Sequence, residues 1–205
     1  MRGLYAITPE CADSEALVER VAAAIGAGIA ALQYRAKSAP PARRRQEAAA
    51  LARLCERAGV PLIVNDDLEL ALEVNAAGVH LGKDDGDFAA ARARIGSRLL
   101  GVSCYDSLER ARAAARAGAD YVAFGSVFPS PTKPDAVRAP LALFGQARAL
   151  GLPLVAIGGI TLENAPQVIA AGADCLAVIT DLFDAPDVAA RARDYARLFQ
   201  HALQQ

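Results

Sequence analysis

The regular alternation of short apolar runs with longer amphipathic stretches constrains this chain more than any other feature of its sequence. Eight apolar runs recur, and most of them are continuous rather than alternating between apolar and polar residues. Continuous runs are typical of parallel strands that are covered on both faces. The predicted strands cover residues 4–8, 31–35, 61–66, 78–82, 99–104, 121–128, 152–159 and 175–180.

The stretches between these runs are rich in Ala, Arg and Glu, and they predict a helix after each strand. Several begin next to a side chain that can cap a helix, such as Asp13 or Ser14 for the first and Asp106 or Ser107 for the fifth. The predicted helices cover residues 14–26, 41–58, 67–75, 87–94, 107–117, 140–150, 163–170 and 187–203.

Eight strand–helix units in 205 residues leave about 26 residues for each unit, close to the lower size limit of a TIM barrel. The dipeptide Ala-Gly precedes every second predicted strand, at residues 27–28, 77–78, 117–118 and 171–172. This rhythm fits a barrel of repeated units, although it also fits a doubly wound sheet. We predict an α/β fold, a (β/α)8 TIM barrel that forms a single compact catalytic domain over residues 1–205.

Composition and charge exclude several classes of protein. With 22 basic and 23 acidic side chains, the net charge is −1, and no basic excess is available to bind nucleic acid or an anionic membrane. The four cysteines are far apart and form no C-x-x-C motif, so we expect reduced thiols in a cytoplasmic protein. The first residues contain no apolar signal core, and no apolar run approaches the ~18 residues of a membrane span.

In a TIM barrel, chemistry is carried by the carboxyl ends of the strands and the loops that follow them. After the second strand, Gln33, Arg35 and Lys37 alternate along the chain, so an extended backbone would place their side chains on one face. They form either a polar pocket wall with a cation for phosphate, or a hydrogen-bonded core glutamine with two solvated charges.

Acidic residues follow the third and fourth predicted strands. Asn65, Asp66 and Asp67 come directly after the third strand, and Asp84 and Asp85 come after the fourth. Because neighbouring strands end at the same rim, Asp66 and Asp85 can face one another, with Asp84 as a competing ligand. Two close carboxylates need a counter-charge, which Mg²⁺ supplies when it is held by carboxylates and substrate phosphates. The alternative is that the residues after the third strand only cap the next helix.

Ser103 ends the fifth predicted strand. The chain has two histidines, His80 and His201, and neither lies three or four residues from Ser103. We therefore expect no Ser-His-Asp or Cys-His nucleophile and no histidine-rich zinc site. A hydrogen bond from the Ser103 hydroxyl to a ligand is the favoured interpretation.

The loop after the sixth strand, residues 124–134, is rich in proline and carries Ser130, Thr132 and Lys133. Prolines stiffen a loop, so these side chains suit an anion clamp. They also suit an inert surface loop.

Glycines follow the seventh strand. Gly158 and Gly159 precede a helix that opens at Thr161, and both a close backbone approach and a helix N-terminus favour phosphate. Ile179 and Thr180, at the end of the eighth strand, complete this pocket, which is where barrels often bind phosphate. The sequence thus predicts two anion sites, one assisted by a metal at the acidic residues and one built from these glycines. Two such sites indicate two phosphorylated small-molecule substrates, one of them carrying a diphosphate leaving group on Mg²⁺.

The motifs at the predicted strand ends form a specific combination. In order they read LYAIT, QYRAK, LIVNDD, GVHLGKDD, the serine that ends the fifth strand, GADYVAFGSVFPSPTKP and VAIGGIT. Together they resemble the thiamine-phosphate synthase family across essentially the whole chain, although no single motif is specific. The resemblance implies a TIM barrel that uses Mg²⁺ to join 4-amino-5-hydroxymethyl-2-methylpyrimidine diphosphate to 4-methyl-5-(2-phosphoethyl)thiazole, giving thiamine phosphate and diphosphate.

The resemblance also implies a role for each candidate residue by matching position. Asp66 and Asp85 match metal ligands, Ser103 a residue beside the pyrimidine and its diphosphate, and Lys133 the lysine that reaches the diphosphate. We predict Ser103 and Lys133 as catalytic residues. The matching substrate contacts are Gln33, Arg35, Lys37 and Asn65 for the pyrimidine diphosphate, and Ser130, Thr132, Gly159, Ile179 and Thr180 for the thiazole phosphate.

The chain departs from many relatives at a few positions. It has Ala36 where they carry an acidic residue, Lys83-Asp84 where they carry Gln-Glu, and Tyr105 where they carry His. Ser130 and Thr180 replace Thr and Ser and keep the hydroxyl group.

Two other functions are compatible with this pattern. A thiazole tautomerase of the same fold uses a histidine after the fifth strand, where this chain has Cys104-Tyr105. A non-catalytic binder of phosphorylated metabolites gains little from paired carboxylates. Both observations favour the synthase. The outer helices, above all residues 187–203, allow a homo-oligomer.

Overall fold

A computed structural model of the chain describes residues 1–82, 87–129 and 137–201. Eight parallel strands close into a barrel in sequence order, and helices cover its outside, so the predicted TIM barrel is confirmed. The strands are β1 (Gly3–Ile7), β2 (Ala31–Tyr34), β3 (Leu62–Asn65), β4 (Gly78–Leu81), β5 (Leu99–Tyr105), β6 (Tyr121–Phe124), β7 (Leu154–Ile157) and β8 (Cys175–Val178).

The helices follow the strands as the amphipathic stretches predict, with one addition. They are α1 (Ser14–Gly26), α2 (Pro41–Ala58), α3 (Leu68–Glu73), α4 (Phe88–Ile95), α5 (Leu108–Arg116), α6 (Ala142–Ala147), α7 (Ala165–Ala170), α8 (Thr180–Phe183) and α9 (Val188–His201). Asp13 and Ser107 are the capping side chains of α1 and α5. The short helix α8 is absent from the sequence-based prediction, which extended the eighth strand to Thr180.

Closure of the barrel joins its first and last strands. Gly3 pairs with Cys175 and Ala6 with Val178, in parallel register. Strands β6 and β7 are shorter than the predicted apolar runs and end at Phe124 and Ile157. Every strand therefore delivers its carboxyl end to the same rim.

Two apolar cores lie on either side of the sheet. The outer core fills the space between barrel and helices. The inner core fills the barrel and consists of Tyr5, Ile7, Ala31, Ile63, Tyr121, Ala123, Val155, Cys175 and Ala177. Polar side chains accompany it, because Gln33 and His80 are also buried. The inside of this barrel is therefore more polar than the branched aliphatic filling that is usual.

Two of the four Ala-Gly dipeptides, those at residues 117–118 and 171–172, have a structural explanation at the amino-terminal rim. In the repeated sequence Ala-Gly-Ala-Asp, Asp120 and Asp174 each accept a hydrogen bond from the first buried amide of the preceding strand, those of Leu100 and Leu154. Each aspartate also forms an ion pair with an arginine, Asp120 with Arg92 and Asp174 with Arg148. The motif fastens neighbouring strands at the amino-terminal rim, the end of a TIM barrel that serves stability rather than chemistry.

Helix α9 packs its apolar face against the rest of the chain. Its apolar side chains Val188, Ala192, Tyr195 and Phe199 are buried, and the helix packs on β1 and α1. All four cysteines lie in the described part of the chain and are free thiols. No helix in that part is both long enough and apolar enough to span a bilayer.

The tight pairing of Gly101 with Tyr121 provides a test of the inner packing. A Cβ atom at Gly101 would lie 2.0 Å from Cζ of Tyr121, so the phenol ring occupies the space of the missing side chain. We expect Gly101→Ala to lower the free energy of unfolding by about 1–3 kcal/mol or more in urea denaturation, because the core cannot accept the extra methyl group.

The matched control is Gly145→Ala on the exposed face of α6, where an added Cβ meets no atom within 4 Å. It is expected to raise the free energy of unfolding by about 0.5–1 kcal/mol, since alanine is the better helix former. Equal unfolding midpoints for Gly101→Ala and the unmodified chain would contradict the packing described here.

Candidate active site at the carboxyl end of the barrel

The two aspartates that follow β3, Asp66 and Asp67, make different contacts. Asp67 caps α3 by accepting a hydrogen bond from the Leu70 amide at 2.9 Å, and it pairs with Arg44 at 2.7 Å. Asp66 does not cap the helix, and its Oδ2 lies 3.0 Å from Nζ of Lys37. The capping alternative is therefore correct for Asp67, whereas Asp66 presents its carboxylate to Lys37 at the rim.

The backbone of Asp66 adopts an unusual conformation. Its φ of 62° lies in the left-handed region, and its amide donates a hydrogen bond of 2.9 Å to the His80 carbonyl of the neighbouring strand. Aspartate and asparagine tolerate this region better than other non-glycine residues, and such strain concentrates at functional sites. The residue is thereby turned out of the strand towards Lys37.

A polar cavity opens beside this pair. Its volume is about 240 Å³, and it lies between the ends of β2 and β3 and the helices α2 and α3. Lys37, Arg44, Asn65 and Asp66 form its polar lining, and the rest of the lining is Tyr34, Ala36, Val64 and Leu70. Two cations, one carboxylate and one amide converge there. The arrangement can bind an anion and, through the carboxylate, a cation that accompanies it.

The three polar residues at the end of β2 and after it do not share one face as the alternation predicted. Strand β2 ends at Tyr34, so the extended geometry stops before Arg35 and Lys37. Gln33 is buried and donates a hydrogen bond of 2.9 Å to the Tyr5 hydroxyl, while Arg35 faces Glu10 at 3.4 Å. Lys37 alone reaches Asp66.

Glu10 organises this loop and was not found by the sequence analysis. Its carboxylate accepts hydrogen bonds from the Lys37 amide at 2.7 Å and from the Ser38 hydroxyl at 2.5 Å. Burial opposes ionisation here, but these hydrogen bonds outweigh it and lower the pKa of the Glu10 carboxyl. The ionised carboxylate therefore fixes the backbone from which the Lys37 side chain extends.

A continuous chain of polar groups crosses the barrel interior and ends at Ser103. Gln33 bonds Tyr5, the Tyr5 and Tyr121 hydroxyls lie 2.7 Å apart, and the Tyr121 hydroxyl lies 3.0 Å from Nδ1 of His80. Nε2 of His80 lies 2.8 Å from Oγ of Ser103. Burial lowers the pKa of His80 to about 4, with the nearby Asp66 charge opposing, so its imidazole is neutral at physiological pH.

The contact between His80 and Ser103 corrects the sequence analysis, which considered histidines only near Ser103 along the chain. The two residues are on adjacent strands, and His80 pairs with Gly101, two residues before Ser103. Because side chains alternate between the two faces of a strand, Ser103 points to the same face as Gly101 and therefore to the same face as His80. This alternation is the sequence signal that could have indicated the contact. Nδ1 of His80 faces the Tyr121 hydroxyl rather than a carboxylate, so these residues do not form a Ser-His-Asp triad.

Arg110 joins the ends of β4 and β5 and was also missed. Its guanidinium donates hydrogen bonds to the carbonyls of Ser103 at 2.7 Å and Gly82 at 2.8 Å. The same group lies 4.9 Å from the ring centre of Phe88 and 5.8 Å from that of Tyr105. Because both carbonyls are held by one rigid planar group, Arg110 sets the position of the Ser103 backbone.

The glycines after β7 are required by the close approach of the loop after β6. A Cβ atom at Gly159 would lie 2.2 Å from the Pro129 carbonyl oxygen, and both glycines have positive φ. The Gly158 carbonyl accepts a hydrogen bond of 3.0 Å from the Phe128 amide, and the Gly159 carbonyl accepts one of 2.9 Å from the Asn164 side chain. These contacts bring the two loops together at the rim.

Thr180 opens helix α8 instead of ending a strand, which corrects the prediction. Strand β8 ends at Val178, Ile179 is half-buried, and Thr180 is exposed as the first residue of α8. The exposed hydroxyl follows β8 directly and lies on the rim that also carries Gly159. Five other residues that the sequence analysis placed at the rim lie outside the described residues. They are Asp85, the competing ligand Asp84, Ser130, Thr132 and Lys133.

Comparisons with known proteins agree along the chain. A sequence model of the family described as thiamine monophosphate synthase matches residues 4–182. Thiamine-phosphate synthase from Aromatoleum aromaticum is 59% identical over 201 residues, 97% of each chain, and that from Methylobacillus flagellatus is 56% identical over 200 residues, 97% of this chain and 96% of the other. Thiamine phosphate pyrophosphorylase from Pyrococcus furiosus superposes with a TM-score of 0.88 at 34% identity, covering 98% of this chain and 96% of that chain.

The role of Arg110 generates a stability prediction. Arg110→Lys keeps the charge but loses the planar fork that serves two carbonyls, so the free energy of unfolding is expected to fall by about 1–2 kcal/mol in urea denaturation. Arg112→Lys, an exposed position on the same helix, should change it by less than about 0.5 kcal/mol. Indistinguishable midpoints for the two variants would remove Arg110 from the site's framework.

Proposed function

Because this chain belongs to the thiamine monophosphate synthase family, we propose that its barrel rim joins 4-amino-5-hydroxymethyl-2-methylpyrimidine diphosphate to 4-methyl-5-(2-phosphoethyl)thiazole. The activity of the family is that of a transferase, thiamine-phosphate synthase. The single structural observation that supports these substrates is the pairing of Lys37 with Asp66 beside the polar cavity. The Lys37 ammonium group can bind a diphosphate ester, and the Asp66 carboxylate can bind the cation that accompanies it.

The proposed reaction needs no proton transfer by the protein. The carbon–oxygen bond to the diphosphate breaks, and the electron pair leaves with the diphosphate. The pyrimidine amino group stabilises the methylene cation that remains. The thiazole nitrogen then donates its lone pair to form the carbon–nitrogen bond, and since this nitrogen carries no hydrogen, no base is required. A neutral, buried His80 is compatible with this chemistry.

The chain's contribution is orientation and charge compensation. We assign the pyrimidine diphosphate to Gln33, Arg35, Lys37 and Asn65, with Ser103 beside it. Lys133 would add positive charge at the diphosphate as it leaves. These assignments follow the family resemblance. The cavity that Lys37 and Asn65 line supports the assignment of these two residues.

The rim residues fit Mg²⁺. This ion is usually held by one or two carboxylates together with substrate phosphates, rather than by a complete protein cage. Asp66 offers such a carboxylate, and within residues 1–82, 87–129 and 137–201 no cluster of three or more metal-ligating side chains occurs. We propose Asp66 and Asp85 as the ligands. When bound, the ion would supply charge compensation for the diphosphate.

The thiazole phosphate would bind on the opposite side of the rim. We assign it to Gly159, Ile179 and Thr180, with the hydroxyl groups of Ser130 and Thr132. The close approach of the loops after β6 and β7 supports this assignment, because it brings the segment that leads to Ser130 against Gly159. Two substrates bound on opposite sides would meet above the barrel axis.

Product formation is the direct test of the proposed function. The purified chain with both substrates and Mg²⁺ is expected to release thiamine phosphate and diphosphate in equal amounts, because one carbon–nitrogen bond forms for each carbon–oxygen bond that breaks. Chromatography of thiamine phosphate and a coupled diphosphate assay measure the two products. Reactions with a single substrate are the controls. Release of diphosphate without thiamine phosphate would contradict the transfer reaction.

The two adjacent aspartates allow a matched test of the metal site. Asp66→Asn keeps a residue that tolerates positive φ but removes the charge, so we expect kcat/KM to fall about 100-fold and the Mg²⁺ concentration for half-maximal rate to rise. Asp67→Asn keeps a good helix cap and loses a half-exposed ion pair, so its activity should stay within about fivefold of the unmodified chain. An unchanged Mg²⁺ requirement in Asp66→Asn would exclude Asp66 as a ligand.

A further inference from the structure

The buried chain of polar groups that ends at Ser103 has a direction. It runs through Gln33, Tyr5, Tyr121 and His80, and each of its contacts is 3.0 Å or shorter. The four groups before Ser103 are at most 7% exposed. Water is therefore largely excluded, and each hydrogen in the chain must be used within it.

The hydrogens can be followed from one end. The Gln33 side-chain nitrogen only donates, so the Tyr5 hydroxyl accepts from it and must give its own hydrogen to Tyr121. The Tyr121 hydroxyl then has one acceptor left, Nδ1 of His80. An imidazole whose Nδ1 accepts a hydrogen bond carries its hydrogen on Nε2, and Nε2 faces Oγ of Ser103.

We propose that His80 is a positioning residue that donates from Nε2 to Ser103 and thereby turns the Ser103 hydroxyl outwards as a hydrogen-bond donor. This inference rests on the proposed function, because its acceptor is an oxygen of the bound diphosphate ester. The diphosphate gains negative charge as its bond to carbon breaks, so a donor fixed in advance is more useful there than an acceptor. Ser103 touches the substrate, and His80 acts through Ser103.

The opposite direction would have a different chemical meaning. If Gln33 presented its oxygen to Tyr5, every hydrogen would point the other way, and His80 would carry its hydrogen on Nδ1. Ser103 would then donate to Nε2 and offer a lone pair to the substrate. That arrangement activates a nucleophile, which an attack by the thiazole nitrogen does not need.

The tautomer of His80 can be measured in the intact protein. Nitrogen-15 NMR of the histidine side chains at neutral pH distinguishes the ring nitrogen that carries hydrogen from the one that does not, and His201→Gln identifies the His80 signals. The proposal predicts hydrogen on Nε2 and none on Nδ1. Hydrogen on Nδ1 alone would overturn it.

A double-mutant cycle tests whether His80 acts through Ser103. His80→Asn can still accept from Tyr121 but is too short to reach Ser103, so we expect kcat to fall about 100-fold with little change in KM. His80→Gln extends an amide nitrogen towards Ser103 and should recover part of that loss. In a Ser103→Ala background, His80→Asn should change kcat less than about threefold.

The outcomes separate this inference from the proposed function. Equal losses for His80→Asn with and without Ser103 would show a merely structural role for the histidine and overturn the inference. An unmodified chain that forms no thiamine phosphate would overturn the proposed function, and with it the diphosphate as the acceptor. The NMR measurement would still report the direction of the hydrogen bonds in that case.

Discussion

The pairing of β1 with β8 closes the sheet, and the site depends on that closure. It sets the β3 end, with Asp66, across the barrel from the β7 end, with Gly159, and it encloses the buried side chains of the interior. An open sheet built from the same units would leave two edges and separate its first and last strands. The two phosphate-binding sides proposed for the rim would then not face one another.

The interior of the barrel is not filled by aliphatic side chains alone. Tyr5 and Tyr121 meet edge to face at 5.8 Å, His80 stacks on Tyr121 at 5.6 Å, and Gly101 leaves the space that Tyr121 fills. Buried polar groups are costly unless all of them are paired, and a fully paired network fixes one arrangement of its members. The core thus reaches the rim at Ser103, whose backbone is held separately by Arg110.

The sequence alone predicted those features that depend on neighbouring residues. Strand order, most helix bounds and the place of Asp66 after β3 follow from apolar periodicity and from the residues directly after each strand. The assignment of Asp66 and Asp67 to different functions required the start of α3, and the contact of His80 with Ser103 required the register between β4 and β5. Arg110 looks like any charged residue on an amphipathic helix until the carbonyls of Gly82 and Ser103 are placed beside it. Helix α8 is too short to produce a periodic pattern.

A crystal structure of the protein with Mg²⁺ and inorganic diphosphate tests the central claim most directly. The account predicts the metal on the Asp66 carboxylate, a diphosphate oxygen beside Lys37, and Oγ of Ser103 within hydrogen-bond distance of the same anion. A diphosphate bound only on the side of Gly159 and Thr180, with no metal at Asp66, would contradict it.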